Sequence, residues 1–223
     1  MEIFIDTANV EDIKKFLPWN IISGCTTNQK IFSCEKGINF KDRVQEILSL
    51  LNAPLSIEVT MAEDGDEALL AEAKEYSSWS PNIVIKIPMW GDGRGLALAS
   101  KLHKAHIKTN LTCLITTNQV MLAGLAGATY ASIFFCRVRD AGGDPVKVIQ
   151  DSKRILQQIK SPTKIIVGSI RSPDDVAQAA AAGTDIITIT PKVLAQMPFN
   201  QKTQETIAEF DEAWKEFKAS CKP

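Results

Sequence analysis

The chain has 223 residues, 45% of them hydrophobic, with 25 Lys and Arg against 26 Asp and Glu. This length suits one domain with a full hydrophobic core, and charged residues of both signs at 23% are atypical of a disordered chain. A net charge of −1 argues against a nucleic-acid binder, which would carry a basic stripe.

Motifs for membrane insertion, secretion and metal binding are not recognisable. Charged residues interrupt every apolar run before the roughly 20 residues of a membrane span, and the N-terminal segment does not resemble a signal peptide. The five cysteines are scattered without a CxxC pair, and the chain has two histidines, so we expect neither a disulfide framework nor a zinc site. The sequence therefore predicts a cytoplasmic domain of enzyme size, with no metal.

Short apolar runs alternate with helical patterns along the chain. Eight runs have the character of strands, at residues 2–6, 21–25, 55–60, 82–87, 105–111, 129–134, 164–169 and 185–189. Helical patterns between them cover residues 41–51, 66–76, 95–104, 118–126, 145–159 and 173–182. The alternation predicts right-handed βαβ units, and eight units of about 28 residues fit a (β/α)₈ barrel over residues 1–200.

A doubly wound sheet that binds a nucleotide is the alternative fold. The segment GDGRG at 91–95 is rich in glycine, but Leu96 stands where a GxGxxG motif requires its third glycine. A GxxxxGK[ST] motif does not occur either. We interpret 91–95 as a loop that enters a helix, and the barrel is favoured.

Residues 201–223 follow the eighth unit and stand outside the repeat. Ile207, Phe210, Trp214 and Phe217 recur at helical spacing and predict one apolar stripe along a helix. This helix either closes the outer layer of its own barrel or covers a neighbouring subunit. The sequence leaves both possibilities open.

The fourth strand directs a lysine into the barrel. Val84 and Lys86 share one face of this strand, opposite three isoleucines that suit packing under helices. Burial disfavours the ammonium form, so a neutral nucleophilic amine becomes accessible. Lys86 is therefore a Schiff-base candidate. The alternative is an edge lysine whose ammonium group reaches water.

Polar side chains also end most of the other predicted strands. The inward positions are Phe4 and Asp6 in strand one, Ser56 and Glu58 in strand three, Asn110 and Thr112 in strand five, and Ser169, followed by Arg171, at strand seven. Each residue alone could be a core polar group or a helix cap. Buried charges are costly unless partnered, so their convergence predicts an active site at the C-terminal ends of the strands.

Five short motifs occur in the order and register of one enzyme family. They are FIDTA at 4–8, GCTTN at 24–28, VIKIP at 84–88, NLT at 110–112 and GSIR at 168–171. Together they resemble the transaldolase family, in its small-subunit branch, which also contains fructose-6-phosphate aldolases. The resemblance spans about residues 1–200 and implies an enzyme of the pentose phosphate pathway that uses a barrel fold.

The resemblance implies that Lys86 forms a Schiff base with the C2 carbonyl of a ketose phosphate. The imine acts as an electron sink while the C3–C4 bond breaks, and Asp6 handles the proton of the C4 hydroxyl. Glu58 is the acid–base carboxylate that works through a water, assisted by Thr112. This chemistry needs no metal or other cofactor. Substrate contacts are expected from Thr26, Asn28, Asn110, Ser132 and Phe134, and phosphate contacts from Arg137, Ser169 and Arg171.

Two positions separate the branches of this family. The aldolases resemble one another in carrying Gln where this chain has Glu58, and Tyr where it has Phe134. The comparison favours a transaldolase, which moves a dihydroxyacetone unit from sedoheptulose 7-phosphate or fructose 6-phosphate to glyceraldehyde 3-phosphate or erythrose 4-phosphate. An aldolase that releases free dihydroxyacetone is the alternative, and a non-catalytic sugar-phosphate binder is a third. Tyr130, four residues before Phe134, is expected deeper in the core.

The chain departs from the family pattern at three positions. Gln29 stands where the family usually has Pro, which could loosen the loop that carries Asn28. Ile133 replaces the Pro of an SPF-type motif, and Cys136 replaces a small residue before Arg137; these changes could shift the phosphate-binding groups. Because neither Cys136 nor Cys25 has a histidine beside it in the sequence, both are expected to be buried thiols.

The resemblance also implies an assembly. Members of the small branch form rings of five subunits that pair into decamers, in which the C-terminal helix packs on a neighbour. We therefore expect a homo-oligomer, either a pentamer or a decamer, with residues 201–223 as an inter-subunit contact. Another oligomer or a monomer remains compatible with the apolar stripe.

Overall fold

The computed structural model describes residues 1–60 and 62–221. Within them, eight parallel strands form one closed barrel in which the strands follow one another in chain order. The strands are β1 (Glu2–Asp6), β2 (Ile22–Thr26), β3 (Leu55–Glu58), β4 (Ile83–Pro88), β5 (Thr109–Leu114), β6 (Tyr130–Phe134), β7 (Lys164–Gly168) and β8 (Ile186–Ile189). The predicted (β/α)₈ barrel is confirmed, and the doubly wound sheet is wrong.

Helices connect the strands and surround the barrel. They are α1 (Val10–Phe16), α2 (Gln29–Phe32), α3 (Phe40–Leu51), α4 (Asp66–Ser78), α5 (Arg94–Lys104), α6 (Thr117–Leu125), α7 (Phe135–Asp140), α8 (Pro145–Gln158), α9 (Pro173–Ala181), α10 (Pro191–Gln196) and α11 (Gln201–Ser220). Among the described residues, 3₁₀ turns cover Leu17–Trp19 and Ala62–Asp64. The six predicted helical patterns correspond to α3, α4, α5, α6, α8 and α9, with small changes of bounds.

The bounds of β5 are the clearest error of the sequence prediction. The predicted strand at 105–111 begins too early, because Ala105 caps the C-terminus of α5 and His106 turns the chain with φ 59°. The strand continues instead to Leu114, so Thr112 lies inside it. Its register pairs Asn110 with Lys86 of β4, which brings their side chains to the same level of the barrel.

An apolar layer fills the barrel interior below the C-terminal ends of the strands. Phe4, Val84, Tyr130, Ile166 and Ile186 form this layer, and the rings of Phe4 and Tyr130 meet edge to face with centroids 6.2 Å apart. The prediction that Tyr130 lies in the core is therefore confirmed. A second core of mostly aliphatic side chains lies between the strands and the helices. The polar residues at the barrel mouth lie directly above this apolar layer.

The glycine-rich segment at 91–95 is the loop that enters α5, as predicted. Gly93 precedes the helix with φ 82°, a conformation that glycine adopts without strain. A Cβ atom on Gly95 would lie 2.3 Å from the carbonyl oxygen of Pro88. Glycine at that position thus lets α5 begin directly against the end of β4, the strand that carries Lys86.

Helix α11 does not bury its apolar stripe on its own barrel. Ile207, Phe210, Trp214 and Phe217 are all about half exposed or more, from 47% to 68%. The helix begins at a cap formed by Asn200 and has no buried residue along its length. The alternative in which this helix buries its stripe on the outer layer of its own barrel is therefore not supported. None of the described helices is both long enough and apolar enough to cross a membrane.

Candidate active site

A cavity of about 170 Å³ opens at the C-terminal ends of the strands. This is the end of the barrel at which active sites of this fold are found. The residues that line it are Asp6, Thr26, Asn28, Lys86, Ser132, Phe134, Arg137, Gly168, Ser169 and Thr188. Eight of these ten are sequence candidates, whereas Gly168 and Thr188 are not. The candidates Glu58, Asn110, Thr112 and Arg171 do not line this cavity.

Lys86 projects inward from β4 and is 5% exposed. Its Nζ donates a hydrogen bond to the carbonyl oxygen of Thr27 at 3.1 Å. The Oε2 atom of Glu58, from the adjacent position of β3, lies 3.9 Å from the same nitrogen. The inward orientation predicted from strand alternation is confirmed, and a solvated lysine at a strand edge is wrong. A buried amine thus stands within electrostatic reach of a carboxylate.

Asp6 stands at the end of β1 in a chain of hydroxyl groups. The Thr26 hydroxyl donates to Asp6 Oδ1 at 2.6 Å, and lies 2.5 Å from the hydroxyl of Thr188. Burial raises the pKa of Asp6, while Lys86 and the bond from Thr26 oppose that increase without cancelling it. The carboxyl group therefore takes up a proton more readily than an ordinary aspartate. Sequence analysis did not single out Thr188, although it shares the inward parity of Ile186 in β8.

Glu58 reaches Lys86 from a second cavity of about 350 Å³. This cavity adjoins the first, because Asn28 lines both, and the remaining lining residues are Gln29, Phe32, Phe40, Thr60 and Tyr76. Burial raises the pKa of Glu58; Lys86 lowers it and Asp6 raises it further, so the result stays above the ordinary value. Glu58 and Lys86 are beyond hydrogen-bond distance, so a proton passing between them needs a bridging group.

Asn110 is held in a hydrogen-bonded row that crosses three strands. The hydroxyl of Ser132 donates to Asn110 Oδ1 at 2.8 Å, and Asn110 Nδ2 donates to the hydroxyl of Ser56 at 3.2 Å. All three side chains are buried. Thr112 is also buried, two residues further along β5 on the same face. The row fixes the orientation of the Asn110 amide beside Lys86.

Asn28 and Gln29 begin α2 at the rim of the cavity. Asn28 Oδ1 caps this helix by accepting from the backbone N–H of Ile31 at 2.9 Å, which leaves its amide nitrogen as a donor. Gln29 Nε2 donates to the carbonyl oxygen of Val59 at 3.0 Å. Gln29 therefore fastens the start of α2 to the residue that follows β3. The expectation that it loosens the loop of Asn28 is not supported.

The cationic end of the cavity is formed by α7 and by the residues that follow β7. Arg137 lines the cavity with its guanidinium over the ring of Phe134, 5.6 Å from the centroid. Ser169 lines it too, in a left-handed conformation with φ 58°. Arg171 instead forms a fork with the carboxylate of Asp140, and this pairing lowers the pKa of Asp140. Asp140 therefore forms its ion pair with Arg171.

Sequence reasoning missed a buried carboxylate behind Glu58. Glu72 of α4 is 3% exposed and accepts hydrogen bonds from the backbone N–H of Thr60 at 2.8 Å, the Thr60 hydroxyl at 2.5 Å and the Tyr76 hydroxyl at 2.7 Å. It thereby holds the chain two residues beyond Glu58. A glutamate and a tyrosine four residues apart on a predicted helix were the available signal, but their partner Thr60 comes from the fold.

Cys25 and Cys136 are buried thiols, as predicted. Cys25 Sγ donates to the carbonyl oxygen of Thr7 at 3.2 Å, and burial raises its pKa strongly. Cys136 Sγ donates to Asp175 Oδ2 at 3.3 Å, and Cys136 does not line the cavity. Among residues 1–60 and 62–221, no group of three or more His, Cys, Asp or Glu side chains is arranged to hold a metal ion.

Fold and cavity together define the class of the protein: a (β/α)₈ barrel with a buried lysine, two carboxylates of raised pKa and a cationic rim at the C-terminal ends of its strands.

Comparison with known proteins gives the family. The sequence model of Transaldolase/Fructose-6-phosphate aldolase matches residues 3–222. The chain is 45% identical to a probable transaldolase of Carboxydothermus hydrogenoformans over 218 residues, 98% of this chain and 100% of the relative. It is 38% identical to a probable transaldolase of Lactiplantibacillus plantarum over the full length of both. The chain therefore belongs to the transaldolase/fructose-6-phosphate aldolase family, and the predicted resemblance is confirmed.

Proposed function

We propose that this protein is a transaldolase that transfers a dihydroxyacetone unit through an imine on Lys86. The donor is sedoheptulose 7-phosphate or fructose 6-phosphate, and the acceptor is glyceraldehyde 3-phosphate or erythrose 4-phosphate. The observation that carries the proposal is the buried Lys86 amine, 3.9 Å from Glu58 in a barrel mouth that Asp6 and Arg137 also line. We further propose that the enzyme acts in the cytoplasm, in the pentose phosphate pathway.

The first step forms the imine. The neutral amine of Lys86 attacks the C2 carbonyl of the donor, and the carbonyl oxygen leaves as water after it has gained two protons. The raised pKa of Glu58 suits a group that delivers and recovers such protons. Because Glu58 stands 3.9 Å from the amine, a water between them carries the proton, and Thr112 assists that water.

The second step breaks the carbon–carbon bond. Asp6 accepts the proton of the C4 hydroxyl, the C3–C4 electron pair moves toward the protonated imine, and the aldose phosphate leaves. An enamine of dihydroxyacetone remains on Lys86 and attacks the acceptor aldehyde in the reverse sequence. Asn28, Asn110 and Thr26 hold the hydroxyl groups of this unit. Thr26 and Asn28 line the cavity with Lys86, Asn110 is its register partner on β5, and hydrogen bonds fix all three side chains.

The phosphate of the substrate binds at the cationic end. Arg137 and Ser169 line the cavity there and offer a guanidinium fork and a hydroxyl. We propose that Arg171 joins them by exchanging the carboxylate of Asp140 for the substrate phosphate. The exchange is inexpensive because both partners of that ion pair are more than half exposed at their side chains.

Phe134, whose ring lies against the guanidinium of Arg137, favours transfer over simple cleavage. Phe134 lines the cavity and has no acidic hydrogen, so it cannot protonate the enamine and release free dihydroxyacetone. With fructose 6-phosphate alone, we expect release of dihydroxyacetone at least about tenfold slower than transfer to erythrose 4-phosphate. Both products are measured by coupled enzymatic assay on the same preparation.

The matched variant for that assay is Phe134→Tyr, which adds a phenol at the position in question. We expect it to raise the rate of cleavage relative to transfer. Equal rates of cleavage and transfer in the unmodified protein would identify an aldolase instead. Binding of fructose 6-phosphate without either product would identify a non-catalytic binder.

We also propose that the exposed stripe of α11 packs on a neighbouring subunit of a homo-oligomer, a pentamer or a decamer. Four large apolar side chains on one helix are about half exposed or more in the single chain, which favours an interface between copies. Deleting residues 202–223, or replacing both Phe210 and Trp214 with Glu, should reduce the molar mass in light scattering to that of smaller species. Lys215→Ala on the same helix is the control and should leave the mass unchanged. An unchanged mass in the deletion variant refutes the proposal.

A further inference from the structure

A buried carboxylate, Asp175, lies behind the cationic end of the cavity. It belongs to the first turn of α9 and is 3% exposed. Its Oδ1 accepts from Nη2 of Arg139 at 2.8 Å, and its Oδ2 accepts from the backbone N–H of Arg171 at 3.1 Å and from the Cys136 thiol at 3.3 Å. Both carboxylate oxygens are therefore engaged, by three donors from two separate segments.

The two segments are those that carry the cationic end. Helix α7 contributes Cys136 and Arg139, and Arg137 lies between them in the sequence. The residues after β7 contribute Arg171, and Ser169 lies two positions earlier. A backbone hydrogen bond from Cys136 N to Ser169 O at 3.2 Å joins the same two segments at the cavity side. Asp175 thus fastens α7 to the β7–α9 loop from behind.

We propose that Asp175 is a positioning residue that sets the spacing of Arg137 and Ser169 for a substrate phosphate. The inference rests on the proposed function, because it takes these two residues to be the phosphate site. Hydrogen bonds to a buried ionised carboxylate are stronger than those between neutral groups, so this bridge resists displacement of α7. The thiol of Cys136, a departure from the family pattern, is one of the three donors.

The charge state of Asp175 supports this role. Burial acts to raise its pKa, but the hydrogen bonds, led by the one from Arg139, outweigh burial and keep the pKa below the ordinary value. The group is therefore a carboxylate at neutral pH and accepts all three bonds. Asparagine has one acceptor oxygen and one NH₂ group, so its NH₂ group would face either Arg139 or the two donors to Oδ2, and that part of the bridge would be lost.

A purely structural role is the competing explanation, since Asp175 lies at the start of α9. Capping of that helix is performed by Ser172, whose side-chain oxygen accepts from the backbone N–H of Asp175 at 3.2 Å. Ser172→Ala therefore weakens the same helix terminus without removing the bridge to α7. The two substitutions, Asp175→Asn and Ser172→Ala, separate positioning from helix stability.

The test uses two ligands that differ in the phosphate, on the full-length protein. Imines formed on Lys86 are reduced by borohydride and quantified by intact-protein mass spectrometry over a series of concentrations of fructose 6-phosphate or of dihydroxyacetone. In Asp175→Asn we expect the half-saturating concentration to rise about tenfold for fructose 6-phosphate and to stay unchanged for dihydroxyacetone. Competition by inorganic phosphate against fructose 6-phosphate should weaken in parallel.

Ser172→Ala is expected to lower the thermal midpoint but to leave both half-saturating concentrations unchanged. The proposal is overturned if Asp175→Asn raises the half-saturating concentrations of both ligands equally or changes neither of them. It is also overturned if Ser172→Ala has the same effect on these concentrations as Asp175→Asn. If Asp175→Asn does not fold, Arg139→Gln, which removes the half-exposed cationic partner, decides the question. A selective rise for fructose 6-phosphate supports the proposal, and no rise overturns it. Lack of a Lys86 adduct with either ligand in the unmodified protein would instead refute the proposed function.

Discussion

Replacing Lys86 with methionine should reduce transfer roughly 10⁴-fold or more, because the nucleophile that forms the imine is removed. The barrel should remain folded. Methionine has similar length and no polar head group, so burying it at the same position costs less than burying the lysine side chain. The carbonyl oxygen of Thr27 loses its donor, which offsets part of that gain.

The change also affects Glu58, whose pKa Lys86 lowers. Without the lysine, the pKa of Glu58 rises further, so the carboxyl group holds a proton more tightly than in the unmodified protein. Transfer activity and circular dichroism of the variant are the two measurements. Lys108→Met, which alters an exposed lysine in the turn before β5, is the control and should retain full activity. Normal turnover in a folded Lys86→Met protein would contradict the mechanism.

Replacing Asp6 with asparagine should reduce transfer by about 10²–10⁴-fold while imine formation persists. Asparagine accepts the hydrogen bond from Thr26 as aspartate does, so the local geometry is retained. It cannot take the proton of the C4 hydroxyl, so the carbon–carbon bond is not broken. Borohydride trapping with dihydroxyacetone, which needs no cleavage, should be equal in the variant and the unmodified protein. Loss of trapping together with transfer would assign Asp6 to imine formation instead.

The raised pKa of Asp6 also predicts a pH dependence of stability. Because the folded state holds this proton more tightly than the unfolded chain, the stability from Asp6 is complete below the ordinary carboxyl pKa. It is lost as the pH rises through the raised folded value. Asp6→Asn lacks this dependence, so it should be more stable than the unmodified protein at neutral pH, by a margin that shrinks on acidification. Urea unfolding at several pH values measures the margin; one that grows on acidification would contradict the assignment.

Most of the fold could be predicted from the alternation of inward and outward side chains along each strand, because this alternation depends only on neighbouring residues. It placed Val84 and Lys86 on the inner face and Tyr130 in the interior layer. It failed at β5, where the apolar content of residues 105–107 resembles a strand but the chain turns at His106 with a positive φ. The spacing of apolar residues in α11 predicted one apolar face on this helix, but it did not predict which surface packs against that face.

Contacts in the site between segments that are distant in the sequence could not be predicted from local patterns. Asp175 carries an acidic side chain in the first turn of a helix, where a carboxylate is common, and nothing in the spacing predicts its bonds to Cys136 and Arg139 of α7. Arg171 could pair with a phosphate or with a nearby carboxylate, and the fold brings Asp140 within reach. Such partners depend on tertiary packing and cannot be obtained from residue order.

The central claim is that Lys86 forms the covalent intermediate. The most direct measurement is borohydride reduction in the presence of fructose 6-phosphate, followed by intact-protein mass spectrometry and peptide mapping of the adduct. We expect one reduced dihydroxyacetone adduct, located on the peptide that contains Lys86, and none in Lys86→Met. An adduct on another lysine, or no adduct while the protein still binds fructose 6-phosphate, would contradict it.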